Sequence, residues 1–429
     1  MTAATGAGPR ILSLDIVRGV AVMGILAMNI VGFAMPFQAY MNPAAYGEMG
    51  SGDLASWAFS FILVDGKMRG LFSFLFGASM LLVIERAEAS GKDPRSVHYR
   101  RMLWLLVFGL CHFYFIWFGD ILAGYALVGM IAFLFRRLSP RSLLRWGIGL
   151  VIVQLAVFSS MAAGTFMLAA NMASPTPDPQ LVAEWQELQH FLGPLSGQPL
   201  TDKLALFQGP WSGLTEDRLD RWFEPFAGLL YFGWETLAYM LFGMAALKTG
   251  LLTGQWASET YRRIALIGLA ITIPVYALLA WILASDGFSV PMVMAVSMAA
   301  TVPFRPVMVI AYAALIILLT RNGGVLIDRI AAAGRAAFTN YLGTSLVMTT
   351  FFYGYGLGLY GAFGRLELWV IVVAMWAVML LWSKPWLDRF RYGPFEWLWR
   401  SLARGRVEPM RRPAFSPASG RRRPIAGSP

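Results

Sequence analysis

The sequence predicts an all-α, polytopic membrane bundle of about ten transmembrane helices, with the N-terminus and the C-terminus both cytoplasmic. Of its 429 residues, 57% are hydrophobic and only 14% are charged, whereas a soluble domain carries about a quarter charged residues. The mean hydropathy is +0.58, and apolar runs long enough to cross a bilayer recur along the chain. Basic residues collect in the short connections between these runs, as they do in cytoplasmic loops.

The predicted transmembrane helices follow the apolar runs in order. They cover Ile11–Met35, Lys67–Glu85, Met102–Phe118, Asp120–Arg136, Trp146–Ala170, Phe226–Lys248, Arg263–Ala284, Pro291–Thr320, Arg335–Leu357 and Leu366–Trp382. Between the first two, Leu54–Val64 predicts a short re-entrant or interfacial helix. We expect Pro291–Thr320 to be one kinked helix, because two helices there would place the arginine-rich tail outside.

This topology divides the chain into four parts. They are an N-terminal transmembrane half (1–170), an acidic extracytoplasmic segment (171–225), a C-terminal transmembrane half (226–404) and a basic tail (405–429) that we expect to be disordered. Gln180–Leu192 predicts a surface helix within the acidic segment. The net charge of +11 lies in the predicted cytoplasmic loops and the tail, so it does not indicate binding to nucleic acid.

Polar residues inside the apolar runs fall into two layers. Ionisable groups are expensive in a bilayer and mark candidate sites, and a helix rise of about 1.5 Å per residue gives their depth. The outer layer contains Asn29, Asp65, Arg69, His112 and Asp120. The inner layer contains Asp15, Arg18, Arg335 and Asn340.

The two layers suggest different chemistry, and five of their residues also have a structural explanation. Inner arginines suit a cytoplasmic anion such as a phosphorylated cofactor, and His112 suits general acid–base work. Alternatively, Asp15 and Arg18 form a structural ion pair. Asn29 then bonds between helices, and Asp120 caps a helix. His112 itself could only hydrogen-bond across helices.

The remaining metal and thiol candidates predict no metal site. The chain has three histidines and one cysteine, without the spacing of a zinc site. His98 and His190 fall in predicted loops and receive no role. The lone cysteine, Cys111, excludes an intrachain disulfide and is expected to be a buried hydrophobe.

Five stretches together resemble the bacterial YeiB family, whose C-terminal half is the domain of unknown function DUF418. They read LDIVRGVAVMGILAMNI, GKMRGLFSFLFG, GLCHFYFIWFGDILAGYAL, AAGRAAFTNYLGTSL and FRYGPFEWLWRSL. The resemblance covers nearly the whole chain to about Arg404 and implies a multi-pass protein of the bacterial inner membrane.

A more distant resemblance carries a functional expectation. The LDxxRG…N pattern, here Leu14, Asp15, Arg18, Gly19 and Asn29, is similar to that of the transmembrane acetyltransferases that include heparan-α-glucosaminide N-acetyltransferase. That group transfers acetyl from cytoplasmic acetyl-CoA to a sugar on the far side, using a histidine shortly after the asparagine. The stretch IVGFAMPFQAYMNP has no histidine here.

The first functional hypothesis is therefore an acyl-CoA-dependent transmembrane acyltransferase. His112 would be the base, oriented by Asp120, with Asn29 donating to the oxyanion. Asp15, Arg18, Arg335 and Asn340 would bind the acyl-CoA, and Asp65 and Arg69 the substrate. The expected partners are the lipid bilayer and a glycan or lipid acceptor, and a homodimer is left open. The alternatives are a transporter or exporter of a small solute or lipid, and a non-catalytic scaffold.

Overall fold

The computed structural model describes residues 11–412, which contain helices and no strand. In the N-terminal part they are α1 Leu12–Ala34, α2 Phe37–Met41, α3 Ser51–Leu63, α4 Lys67–Ala89, α5 Pro94–Phe115, α6 Leu122–Ala132, α7 Pro140–Met172, α8 Pro179–Leu192, α9 Gly197–Gln208 and α10 Trp211–Asp220. The C-terminal part contains α11 Glu224–Lys248, α12 Ser258–Asp286, α13 Val290–Val293, α14 Arg305–Leu319, α15 Val325–Arg335, α16 Ala337–Phe352, α17 Arg365–Arg389 and α18 Pro394–Arg404.

Several of these helices are suited to a membrane. Among the described residues, five helical segments are long and apolar enough to cross one, and a bent pair would make a sixth. The five are Leu12–Ala34, Ser51–Ala89, Pro140–Met172, Ser258–Asp286 and Arg365–Arg389. The chain is thus an all-helical membrane protein, and the finer count of ten spans stays a prediction.

Helix α1 lies at the centre of the bundle. Of its most apolar stretch, 78% is buried, against 28% in α7, α12 and α17. A Cβ atom added to Gly19 in α1 would lie 2.1 Å from the carbonyl oxygen of Ile330, and one added to Gly334 would lie 1.8 Å from that of Asp15. Glycine therefore lets α1 and α15 touch backbone to backbone, which brings the predicted inner residues of both helices together.

Local sequence signals explain where several helices begin. Asp93 precedes α5, and its carboxylate accepts hydrogen bonds from the backbone N–H groups of Arg95 (3.1 Å) and Ser96 (3.0 Å). Ser139 before α7 and Asp178 before α8 act in the same way. In each case proline is the first helical residue, where its missing N–H is no loss. α8 corresponds to the predicted surface helix.

The predicted kinked helix is broken rather than continuous. α13 runs into a π-helical segment, Met294–Ala300, and α14 starts after a short gap at an angle of 54°. Pro303 lies within this break and Pro306 in the first turn of α14, as expected for residues that cannot donate a backbone hydrogen bond. The predicted short helix Leu54–Val64 forms as α3, but it joins α4 in one candidate span.

The predicted helix Arg335–Leu357 is wrong at both ends. α15 ends at Arg335, and α16 runs only from Ala337 to Phe352. The cause is long-range, because the carboxylate of Glu396 in α18 accepts from the backbone N–H groups of Phe338 (2.7 Å) and Thr339 (3.1 Å). These are donors that a helix N-terminus leaves free, so α16 starts anew there.

Part of the basic tail is ordered by hydrogen bonds. Glu408 accepts at its backbone carbonyl from the Trp397 indole (2.6 Å), and Arg391 donates its backbone N–H to the carbonyl of Met410 (2.9 Å). Expected disorder from residue 405 is therefore wrong for residues 405–412. The remainder of the predicted tail, from residue 413, lies outside the described residues.

Candidate functional site

Two cavities open within the bundle, and most residues of each predicted layer line one of them. The outer cavity has a volume of about 340 Å³ and is lined in part by Asn29, Asp65, Arg69 and Asp120. The inner cavity has a volume of about 490 Å³ and is lined in part by Asp15, Arg18 and Arg335. Tyr125 lines both cavities, so the two adjoin each other.

Asn340 is the predicted inner residue that the structure does not bring to the cavity. Its amide donates to the carbonyl of Ala333 (3.0 Å) and to the Ser383 hydroxyl (3.2 Å). Its oxygen accepts from the Trp382 indole at 2.8 Å. These contacts tie α15 and α16 to α17, a structural role.

His112 and Asp120 form a buried pair. The Nδ1 atom of His112 lies 2.9 Å from the Oδ1 atom of Asp120, and the two side chains are 0% and 1% exposed. The other oxygen of Asp120 accepts from the backbone N–H of Ala123 at 2.7 Å. Asp120 lies one residue before the N-cap of α6, Ile121. It therefore satisfies a free N–H in the first turn of α6 and holds the imidazole at the same time.

The local packing of α5 and α6 makes this pair possible. Residues 116–121 separate the two helices, whereas the predicted helices Met102–Phe118 and Asp120–Arg136 leave only one residue between them. A Cβ atom added to Gly109 would lie 2.2 Å from the backbone nitrogen of Ala123. The start of α6 can therefore approach α5 one turn before His112, within reach of its ring.

The second nitrogen of His112 has no partner. Within the described chain, its Nε2 atom is buried and makes no hydrogen bond. The ring lies 5.2 Å from that of Tyr341, measured between centroids. Tyr341 lines the inner cavity, whereas Asp120 lines the outer one. The pair thus lies between the two cavities with one nitrogen unoccupied.

An ion network that the sequence analysis missed lies beside the outer cavity, which two of its members, Arg69 and Arg305, line. Glu235, which is 1% exposed, lies 2.8 Å from an Arg69 nitrogen and 2.9 Å from Nη1 of Arg305. Tyr239 donates to the same carboxylate at 3.1 Å. A lone glutamate within the apolar run of α11 was the available signal, because such a charge needs a partner. The charge of Arg69, predicted to bind substrate, is thus already paired.

Arg305 links this network to the broken helix. Its Nη2 donates to the carbonyls of Ser297 and Met298, both at 3.1 Å. These carbonyls belong to the π-helical segment, whose hydrogen-bonding pattern ends just before α14. The guanidinium thus bonds carbonyls freed by the break and neutralises Glu235.

Lys67 and Asp65 are also part of the outer lining. The Lys67 ammonium is 1% exposed and lies 3.4 Å from the centroid of the Tyr276 ring. It donates to the carbonyl of Phe61. Aromatic faces and a carbonyl therefore stabilise this buried cation, which the sequence analysis did not single out.

The inner cavity is rich in arginine. Arg18 donates to the Ser79 hydroxyl at 2.6 Å and lies 3.4 Å from Asp15, the predicted ion pair. Beyond the predicted residues, Arg86, Arg101, Arg391 and Arg400 also line it. Arg86 lies near the end of α4, Arg101 within α5, Arg391 between α17 and α18, and Arg400 in α18. Sequence reasoning treated basic residues of this kind only as topology signals.

The predictions for His98 and Cys111 are wrong. His98 is not in a loop but in α5, buried, with its Nε2 atom 3.0 Å from the carbonyl of Gly129. Cys111 is exposed rather than buried. Among residues 11–412, no group of three or more His, Cys, Asp or Glu residues is arranged to bind a metal ion.

Comparisons with known proteins find relatives that match most of the chain. Residues 246–406 match the family described as "Protein of unknown function (DUF418)". The chain is 34% identical to "Uncharacterized protein YeiB" of Escherichia coli (strain K12), over 92% of this chain and 96% of that protein. It is 33% identical to "Uncharacterized protein YxaH" of Bacillus subtilis (strain 168), over 91% and 94%. No solved structure matches.

Proposed function

The chain belongs to the YeiB family with its C-terminal DUF418 region, and we propose that it is a transmembrane acyltransferase. It would move an acyl group from a cytoplasmic CoA thioester, such as acetyl-CoA, to a glycan or lipid acceptor at the outer face. The observation that carries this proposal is the unpartnered Nε2 atom of His112 in a buried His–Asp pair. Burying an unpaired polar atom in a membrane costs free energy. An ionisable residue placed there therefore indicates a functional site.

The proposed topology is that of the bacterial inner membrane. Ten spans with both termini inside would place the inner cavity at the cytoplasmic side, where Arg86 and Arg101 border the basic loop 86–101. The acidic segment 171–225 would then be extracytoplasmic between the two transmembrane halves, 1–170 and 226–404. The outer cavity would open towards it.

Each of the two cavities would bind one of the two substrates of the transfer. The anionic part of the CoA ester would bind the inner arginines, and the acceptor hydroxyl or amine would enter the outer cavity. Nε2 of His112 would take the acceptor proton as the acceptor attacks the thioester carbonyl. The C–S bond then breaks, the CoA thiolate leaves, and the proton passes from the imidazolium to sulfur. Asp120 holds the ring and stabilises the imidazolium, and Asn29 would donate to the oxyanion.

The test uses purified protein with labelled acetyl-CoA and a panel of glycans and lipids. Loss of a general base lowers the rate by about 10²- to 10⁴-fold, so we expect His112→Ala to reduce transfer by that factor. His190→Ala is the matched control, because His190 is exposed on α8. Full transfer by His112→Ala would refute the assignment.

A second candidate, a transporter of a small solute or lipid, is favoured by the broken helix. Ser297, Thr301 and Arg305 of that break line the outer cavity, and discontinuous helices of this kind surround substrates in many transporters. Substrate flux in proteoliposomes without acyl transfer would support this alternative.

A homodimer would leave both cavities within each chain, since one chain lines both.

A further inference from the structure

The inner cavity has a large excess of positive charge. Six arginines line it, at positions 18, 86, 101, 335, 391 and 400, against two carboxyl groups, Asp15 and Glu396. Like charges gathered around one cavity repel each other unless an anion balances them. The cavity therefore suits a ligand with several negative charges.

Neither carboxyl group forms an ion pair with Arg101 or Arg400 among the described residues, because both groups are engaged elsewhere. Asp15 interacts with Arg18 at 3.4 Å. The Glu396 carboxylate accepts from the start of α16, at the backbone N–H groups of Phe338 and Thr339. No ion pair involves Arg101 or Arg400 within residues 11–412, although a cation at such a site normally has one.

Aromatic rings hold both guanidinium groups in place. The Cζ atom of Arg101 in α5 lies 4.2 Å from the ring centroid of Trp399, and that of Arg400 lies 4.7 Å from Tyr392. The Trp399 indole also donates to the carbonyl of Arg101 at 3.0 Å. Stacking on a ring leaves the N–H donors of guanidinium free in its own plane. Within residues 11–412, Nε of Arg400 is indeed buried without a hydrogen-bond partner.

We propose that Arg101 and Arg400 together clamp a phosphate or pyrophosphate group of the ligand in the inner cavity. Planar guanidinium matches phosphate with two parallel hydrogen bonds. This inference rests on the proposed function where it takes that ligand to be the CoA ester, whose pyrophosphate would lie in the clamp. It makes α18, from the DUF418 region, one wall of a site whose adjoining wall is α5 in the N-terminal half.

The test measures binding rather than transfer. Full-length protein in nanodiscs of neutral lipid is titrated calorimetrically with inorganic pyrophosphate and with CoA. Arg101→Gln and Arg400→Gln should each weaken both affinities by about 10- to 100-fold, as expected for losing a charged hydrogen bond. Affinity should also fall with added salt. Arg262→Gln is the control, because Arg262 is 62% exposed and pairs with Glu259 on α12, away from the cavity.

The outcomes separate this inference from the proposed function. Wild-type affinity in both Gln variants overturns the clamp, whether or not transfer occurs. Clamp-dependent binding without any acyl transfer supports the clamp and refutes the acyltransferase. If only phosphatidylglycerol in anionic nanodiscs binds, and the variants abolish its enrichment, the clamp holds a lipid phosphate. Arg101→Lys and Arg400→Lys replace any Gln variant that fails to fold, and they should weaken binding because lysine lacks the planar fork.

Discussion

Glu235→Gln should destabilise the protein more than any exposed charge change. The carboxylate is 1% exposed and balances Arg69 and Arg305. Glutamine keeps the size but removes the charge, so Arg305, with a side chain 6% exposed, remains as an uncompensated cation. Removing one partner of a buried ion pair costs about 3–5 kcal/mol. The assay is thermal unfolding in detergent, followed by the loss of monodisperse protein after heating.

The control for this variant is Glu259→Gln. Glu259 also pairs with an arginine, Arg262, but its side chain is 65% exposed, and exposed pairs contribute about 0–1 kcal/mol. We expect its unfolding temperature to stay near the wild-type value. The double variant Glu235→Gln/Arg305→Met should recover part of the loss, because it removes the stranded charge. Equal unfolding temperatures for Glu235→Gln and Glu259→Gln would refute this explanation of the network.

Three further predictions follow from single contacts. Gly243→Ala should cost about 1–3 kcal/mol by forcing apart α4 and α11, because the new Cβ would lie 1.7 Å from the carbonyl oxygen of Phe74; Gly149→Ala, with open space around it, should cost nothing in the same unfolding assay. Asp120→Asn should slow acyl transfer about 10²- to 10⁴-fold while the protein stays folded. Burial raises the pKa of the Glu396 carboxyl from its ordinary value of 4.5, so the stability that this group contributes should be fully present below pH 4.5 and be lost as the pH rises through the raised pKa; Glu396→Gln should remove that part of the pH dependence of thermal unfolding.

Most of the long helices could be predicted because helices that cross a membrane are recognisable in a sequence as long apolar runs. The errors came from contacts between distant parts of the chain. Glu396 restarts a helix at Ala337 although it lies 58 residues beyond Phe338. No local pattern of apolar residues contains that information. The order of residues 405–412 likewise depends on partners in α17, in α18 and around Arg391.

The sequence predicts how deep each site residue lies along its helix, but not which face of the helix the residue occupies. Counting residues along each helix separated the outer group from the inner one. Asn29, Asp65, Arg69 and Asp120 line the outer cavity, and Asp15, Arg18 and Arg335 line the inner one. Depth does not say which face of a helix a residue occupies, so Asn340 was placed at the inner cavity although it bonds between helices. Glu235 was missed because its partners, Arg69 and Arg305, lie 166 and 70 residues away.

The central claim is that the His112–Asp120 pair transfers an acyl group between two cavities that face opposite sides of the membrane. The most direct measurement encloses labelled acetyl-CoA inside proteoliposomes, with the basic loops facing inward, and supplies the acceptor outside only. We predict labelled acceptor outside for the wild type and for His190→Ala, and at least about 10²-fold less for His112→Ala. Equal labelling by wild type and His112→Ala would contradict the claim, as would wild-type labelling that requires acetyl-CoA on the acceptor side.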